Sequence, residues 1–231
     1  MREIVFDTET TGLDPAKGDR LVEIGAVEIV DLAPTGRTFH VLVNPEREVP
    51  EDAVRIHGHT TASLQGKPLF SAIADEFLAF VGEDRLVAHN AEFDMRFINA
   101  ELAALGRPTI SKERVIDTLA LARAKHPGSP AGLDALCDRY RIDRSKRVKH
   151  GALLDSELLV EVYVELTGGR QKSLSFASQN KTAARAKAEK RAYPPRPSAL
   201  AARLNEEELA AHAAATAKIG DAAGWLRYSA G

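Results

Sequence analysis

Two acids stand two residues apart in "VFDTETTGLDP": Asp7 and Glu9. Residues 2–7 are predicted as a strand, where side chains alternate, so both acids should share the face of Val5. Two further acids occupy equally costly places. A helix over 151–167 gathers Leu154, Leu158, Leu159, Val162, Tyr163 and Leu166 on about half its circumference, and Asp155 falls near the middle of that arc. Val160 and Val164 lie outside the arc and suggest a second packing face. A helix over 91–105 repeats the pattern with Phe93, Phe97, Ile98, Leu102 and Leu105, and Asp94 and Glu101 both fall inside its arc. A charge on a core-facing surface is costly unless paired or metal-bound, and no comparable set of lysines or arginines stands out as partners. Converging carboxylates without basic partners point to hard divalent cations, Mg²⁺ or Mn²⁺. Two such ions about 4 Å apart activate a water and stabilise a leaving oxygen in phosphoryl chemistry.

A general base would complete such a site. His150 precedes Asp155 by five residues in "KHGALLD". Five residues turn a helix through about 500°, so the two cannot share a helical face. His150 is therefore placed on the loop entering the helix, beside Gly151, from which it can swing toward the acids.

Strands and helices must hold these residues together. After the strand at 2–7, "RLVEIGAVEIV" (20–30) and "GRTFHVLVNP" (36–45) are predicted to pair as a hairpin across a short Pro/Gly turn. A helix over 70–82 stops at Gly82, and a short strand at 85–90 runs into the 91–105 helix, with Asn90 as its N-cap. Two more helices are expected at 117–125 and 132–140, and the last, 151–167, stops at Gly168-Gly169. Strands first and helices afterwards indicate an α/β domain with one central sheet.

Composition agrees with a globular enzyme-sized domain: 44% hydrophobic and 28% charged residues can bury a core. No apolar run reaches the ~18 residues of a membrane span, and "MREIVFDTE" turns acidic too early for a signal-peptide core. Cys137 is the single cysteine. It excludes a disulfide framework, reads as a core residue, and fits the cytoplasm. The net charge of −2 divides unevenly, with ten basic and five acidic residues in 171–231 and an acidic excess before them. An acidic folded part argues against coating long duplex DNA by phosphate neutralisation.

Beyond Gly169 the texture changes. Residues 177–197, "ASQNKTAARAKAEKRAYPPRP", offer almost nothing to bury and are predicted as a flexible basic linker. "NEEELAAHAAATAKIG" (205–220) is predicted as a helix with Asn205 and Glu208 in capping-box positions.

"FDTETTG", "HNAEFDMRFI" and "HGALLDSELL", in that order, resemble the three motifs of the DEDDh exonuclease superfamily. Across 2–170 the chain resembles that superfamily's proofreading branch, the ε subunits of bacterial DNA polymerase III, with "IGAVEIV", "RIHGHT" and "AGLDALCDRY" in support. The resemblance implies a ribonuclease H-like fold, its central sheet mixed and flanked by helices, and stepwise 3′→5′ removal of nucleotides from a DNA end. It implies two divalent ions, Mg²⁺ or Mn²⁺, on Asp7, Glu9, Asp94 and Asp155, and His150 as general base. It places Glu9, Thr10, Asp52, His57, Asn90, Phe93 and Asp155 against the substrate, a single-stranded or frayed 3′ end. His89 and Asp117 are expected to be structural.

The same resemblance divides the chain into an exonuclease domain (1–170), a sliding-clamp-binding peptide (171–176), the linker (177–197) and a segment binding the polymerase α subunit (198–231). In "QKSLSF", Gln171 would hydrogen-bond to the β clamp while Leu174 and Phe176 fill apolar pockets. Trp225 and Leu226 would face the α subunit. Two other readings remain open: an RNA-trimming member of the superfamily with the same five site residues, and a mainly structural replicase subunit.

Overall fold

The computed structural model describes residues 1–145, 147, 149–168 and 205–219. Five strands, β1 (Arg2–Thr10), β2 (Leu21–Val30), β3 (Ala33–Leu42), β4 (Arg85–Ala88) and β5 (Val115–Asp117), form one sheet in the order β3-β2-β1-β4-β5. β1 is central, antiparallel to β2 and parallel to β4. The α-helices among the described residues are α1 (Glu51–His57), α2 (Thr61–Leu64), α3 (Phe70–Val81), α4 (Ala91–Ala104), α5 (Thr118–Lys125), α6 (Leu133–Tyr140), α7 (Ala152–Thr167) and α8 (Glu206–Ile219). None of the described helices is long and apolar enough to cross a membrane.

Alternation along β1 sorts the core into two layers. Ile4 and Phe6 pack with Phe77 of α3 and Phe97 and Ile98 of α4, whereas Val5 packs with Leu136 of α6 and Leu158, Leu159 and Val162 of α7. A central strand covered on both faces needs near-continuous apolar sequence, which "EIVF" supplies until Asp7 interrupts it. Val160 is buried with the second layer, so α7 does have its wider packing face. Cys137 is a core residue there, and burial pushes its thiol up to about 11.

Several boundaries differ from the sequence expectation. β1 continues to Thr10, and its register against β2 shifts between Glu9 and Thr10, a bulge beside the acids. The β2–β3 turn is Asp31-Leu32, both at positive φ (51° and 67°), rather than the Pro/Gly pair. Two successive positive-φ residues make the tight turn that matches strand twist. Pro34 and Gly36 lie within β3, an edge strand that tolerates them. The short α1 and α2 were not anticipated, and Asn90 precedes α4 at φ 66° with no side-chain cap bond. In the separate C-terminal unit, α8 opens on a reciprocal cap: Asn205 Oδ1 accepts from Glu208 N–H at 2.8 Å, and Glu208 Oε2 from Asn205 N–H at 3.0 Å. The clamp-binding peptide, with Gln171, Leu174 and Phe176, the linker, and Trp225 and Leu226 lie outside the described residues.

Candidate active site

The site forms where the C-terminal half of β1 meets the starts of two helices from opposite layers. Asp7 and Glu9 project toward the α7 layer, and Asp155 comes from the first turn of α7. Thr8, between them, faces the α4 layer, where its hydroxyl donates to Asp94 Oδ1 at 2.7 Å.

Gly25 brings the second helix close. It pairs with Asp7 across the sheet, and a Cβ there would lie 2.1 Å from Leu153 N and 2.2 Å from Ala152 C. Only glycine admits the first turn of α7 to this distance. Ser156 Oγ then donates to Gly25 O at 2.9 Å, sharing its proton with Ala152 O at 2.7 Å. The stretch "IGAVEIV" thus has a physical role: its glycine seats Asp155 against β1.

The acids crowd one another. Burial raises Asp7 well above the ordinary carboxylate value, with Asp94, Glu9 and Asp155 adding to the effect. Burial also lifts Glu9 to about 8, helped by Asp155, Glu23 and Asp94. Asp94 rises to about 7, again chiefly by burial, although the Thr8 hydrogen bond opposes it. Carboxylates that strain against ionising together are a suitable cage for divalent cations, whose charge removes the penalty. The donor set fits: oxygens dominate, and ligand atoms of Glu9, His150 and Asp155 all lie within 4.8 Å of one another.

His150 occupies the loop just before α7, as its spacing suggested, with its side chain 48% exposed. Its Nδ1 lies 3.1 Å from Asp155 Oδ2 and 2.6 Å from Arg147 Nη2. One nitrogen cannot serve both contacts: with a proton it donates to Asp155, and with a lone pair it accepts from Arg147.

Arg147 corrects the expectation that no basic residue partners the acids. Its Nε donates to Asp155 Oδ1 and its Nη2 to Asp155 Oδ2 at 2.7 Å. It comes from a loop whose sequence, "DRSKRVKH", carries no periodicity to single out one of several basic residues. Glu101, the other acid in the α4 arc, is explained by Arg20, which grips its two oxygens at 2.6 and 2.9 Å.

A cleft of about 570 Å³ adjoins the acids, lined by Thr8, Glu9, Thr10, Asp52, His57 and Phe93 together with the exposed apolar side chains of Leu13 and Ile56. Leu13 and Ile56 escaped the sequence reading because isolated apolar residues carry no pattern. Thr10 Oγ1 donates to Gly12 O at 2.6 Å, and Asp52 pairs with Arg55 on α1. His57 is the last residue of α1, and its ring caps the turn that follows. Its Nδ1 accepts from His59 N–H at 3.0 Å, its ring stacks on that of His59, and its buried Nε2 has no hydrogen-bond partner of good geometry among the described residues. Burial, then the neighbouring His59, holds its pKa below the ordinary value. His59 and His40 in turn bond the two oxygens of buried Glu23 at 2.8 and 2.7 Å. Burial alone would raise Glu23, but these bonds and one from Ala152 N–H leave it lowered.

Asn90 is not brought to this cleft. It is exposed, and its backbone N–H is tied to Asp117 Oδ1 at 3.0 Å, which fixes the left-handed turn ahead of α4. Asp117 also caps α5 through Leu119 N–H, and His89 Nδ1 meets Thr118 Oγ1 at 2.9 Å, so both serve the frame around β4 and β5.

A mixed five-stranded sheet in this order, flanked by helices, is the ribonuclease H-like architecture found in exonucleases. The model of the exonuclease family that includes RNase T matches residues 4–163. The DNA polymerase III subunit epsilon of Rickettsia felis is 53% identical over 183 residues, covering 78% of this chain and 80% of that protein. Its counterpart in Escherichia coli K12 is 46% identical over 188 residues, covering 78% and 77%. Among solved structures, exonuclease X in complex with 5′ overhanging duplex DNA matches with a TM-score of 0.57 and 28% identity, over 73% of this chain and 91% of that one. Exonuclease I, at 20% identity and a TM-score of 0.64 over 74% of this chain and 41% of that one, shares the fold. The chain belongs to the exonuclease family and, within it, to the epsilon subunits of DNA polymerase III, the proofreading 3′→5′ exonucleases.

Proposed function

We propose that the chain hydrolyses the terminal phosphodiester of a frayed DNA 3′ end with Asp7, Glu9, Asp94 and Asp155 as holders of two divalent ions, Mg²⁺ or Mn²⁺, and His150 as general base. The observation that carries this reading is the gathering of Glu9, His150 and Asp155 within 4.8 Å of one another at the end of β1, with Asp7 and Asp94 close enough to raise each other's charge cost, beside a cleft large enough for a nucleotide. When bound, such ions activate water and stabilise the leaving 3′ oxygen. His150, half exposed and hydrogen-bonded within the site, removes the proton of the attacking water. The water oxygen bonds to phosphorus, the bond to the penultimate 3′ oxygen breaks, and a nucleoside 5′-monophosphate leaves. Phe93, Leu13 and Ile56 offer apolar surface to the terminal nucleoside, and the buried Nε2 of His57, without a hydrogen-bond partner of good geometry among the described residues, offers it a polar contact.

A mismatched terminus frays at lower cost than a paired one, which is how a site that reads no sequence can favour errors. Residues 171–176 would then bind the β sliding clamp through Gln171, Leu174 and Phe176, and 198–231 the polymerase α subunit through Trp225 and Leu226, with 177–197 as tether. Tethering raises the effective concentration of the exonuclease at the primer end without new contacts. The likeness to a DNA-bound exonuclease favours DNA over RNA as substrate. The test is side-by-side digestion of matched DNA and RNA oligonucleotides with Mg²⁺ or with EDTA. Metal-dependent trimming of DNA from the 3′ end supports the proposal; faster trimming of RNA, or activity in EDTA, overturns it.

A further inference from the structure

Arg147 is an arginine in a place meant for cations. Its side chain is 8% exposed and spans two acids of unlike character: Asp155, 4% exposed at the candidate metal site, and Asp134, 51% exposed on the first turn of α6. Nε and Nη2 take one oxygen each of Asp155, Nη1 takes Asp134 Oδ1, and Nη2 also reaches His150. A guanidinium fork fits a carboxylate bidentately and carries its charge at every working pH. A divalent ion on the same carboxylate meets both an occupied edge and a like charge. Removing Arg147 from Asp155 need not strand it, since Asp134 stays within its grasp at the edge of the loop.

We propose that Arg147 competes with the divalent cation for Asp155, a positioning residue that holds Asp155 and His150 in place and yields the carboxylate, falling back on Asp134, when the cation binds. The inference rests on Asp155 being a metal ligand, and its test separates the two claims. Mutual exclusion at a shared group is a coupling free energy, with effects of about 5- to 150-fold in affinity.

Calorimetric Mn²⁺ titration of the full chain supplies the measurement. Arg147→Gln should bind Mn²⁺ about tenfold more tightly than wild type. Asp134→Asn, which removes the second berth, should bind it more weakly, and the double variant should lose the effect of Asp134→Asn. Opposite signs are the signature. A purely structural loop anchor would weaken binding in both variants, and that result, or unchanged affinity in Arg147→Gln, overturns the proposal. Loss of Mn²⁺ binding in Asp155→Asn is the separate check on the ligand assignment. Wild-type protein gives a further readout that needs no variant: on Mg²⁺ addition, the Arg147 Nε–H signal in nitrogen-15 NMR should move and lose protection from exchange. A signal that stays put in Mg²⁺-saturated protein refutes the displacement.

Discussion

Gly25→Ala places one methyl group where the site has no room for it. The new Cβ would lie 2.1 Å from Leu153 N, 2.2 Å from Ala152 C and 2.5 Å from Ala152 O, where ordinary contact begins at 3.4 Å. These are backbone atoms of the first turn of α7, so no side-chain rotation relieves the clash. The turn must retreat by roughly 1 Å, stretching the Ser156–Gly25 bond and drawing Asp155 from Asp7 and Glu9. A displacement of about 1 Å at a catalytic centre costs ~100-fold in rate, whereas overpacking a core costs about 1–3 kcal/mol of stability. Gly25→Ala should therefore fold, with an unchanged circular dichroism spectrum, yet excise a mispaired 3′ nucleotide ~100-fold more slowly under single-turnover conditions at saturating Mg²⁺. Gly132→Ala, with an ordinary φ of −65° and nothing within 4 Å of the added Cβ, is the control and should match wild type. Excision by Gly25→Ala within twofold of wild type would refute the seating argument.

The crowded acids predict how stability responds to pH without metal. Glu9 and Asp94 titrate near 8 and 7 when folded, above their ordinary 4.5 and 3.8. Stability from each is therefore complete below its ordinary value and is lost as pH rises through the folded one. In EDTA, Glu9→Gln should gain on wild type in unfolding free energy, read by denaturant titration, as pH climbs from about 4.5 to about 8, by up to the order of 5 kcal/mol; a difference that is flat or shrinks across this window contradicts the assignment. Thr8→Val removes the hydroxyl that steadies ionised Asp94 and should lower metal affinity or activity by about 10- to 100-fold, read by Mn²⁺ titration and excision rate; wild-type values for both would show that the bond is incidental. His150→Ala should slow single-turnover hydrolysis by about 10²- to 10⁴-fold while leaving Mg²⁺-free stability close to wild type; unaltered rates would remove it as the base.

The helices that carry Asp94 and Asp155 were legible because a misplaced acid on an apolar face is a local signal, and the wide packing face of α7 could be foreseen from Val160. Their meeting was not, because it depends on β1 separating two helical layers and on a glycine one strand away. The sequence pattern also ended β1 too soon: a strand predicted by apolar alternation stops at the first acid, whereas the backbone runs on through Glu9 to Thr10 and bulges there. Arg147 and the cleft-lining Leu13 lie in irregular segments, where no period marks which side chain turns inward, and Ile56 sits on α1, whose seven residues are too few to set a clear period. Asn90 takes the N-cap position its place ahead of the helix indicates, but without a side-chain cap bond: its left-handed backbone is held by Asp117, a partner 27 residues away that no local pattern reveals.

Asp7, Glu9, Asp94, Asp155 and His150 are proposed to act as one hydrolytic site. The most direct test is the release of nucleotide from a mispaired DNA 3′ end in Mg²⁺, with products separated by chromatography, for wild type, Asp7→Ala and His150→Ala. Wild type should release nucleoside 5′-monophosphates one at a time, and the folded variants should each lose at least about 100-fold of that rate. Full activity in both variants would contradict it.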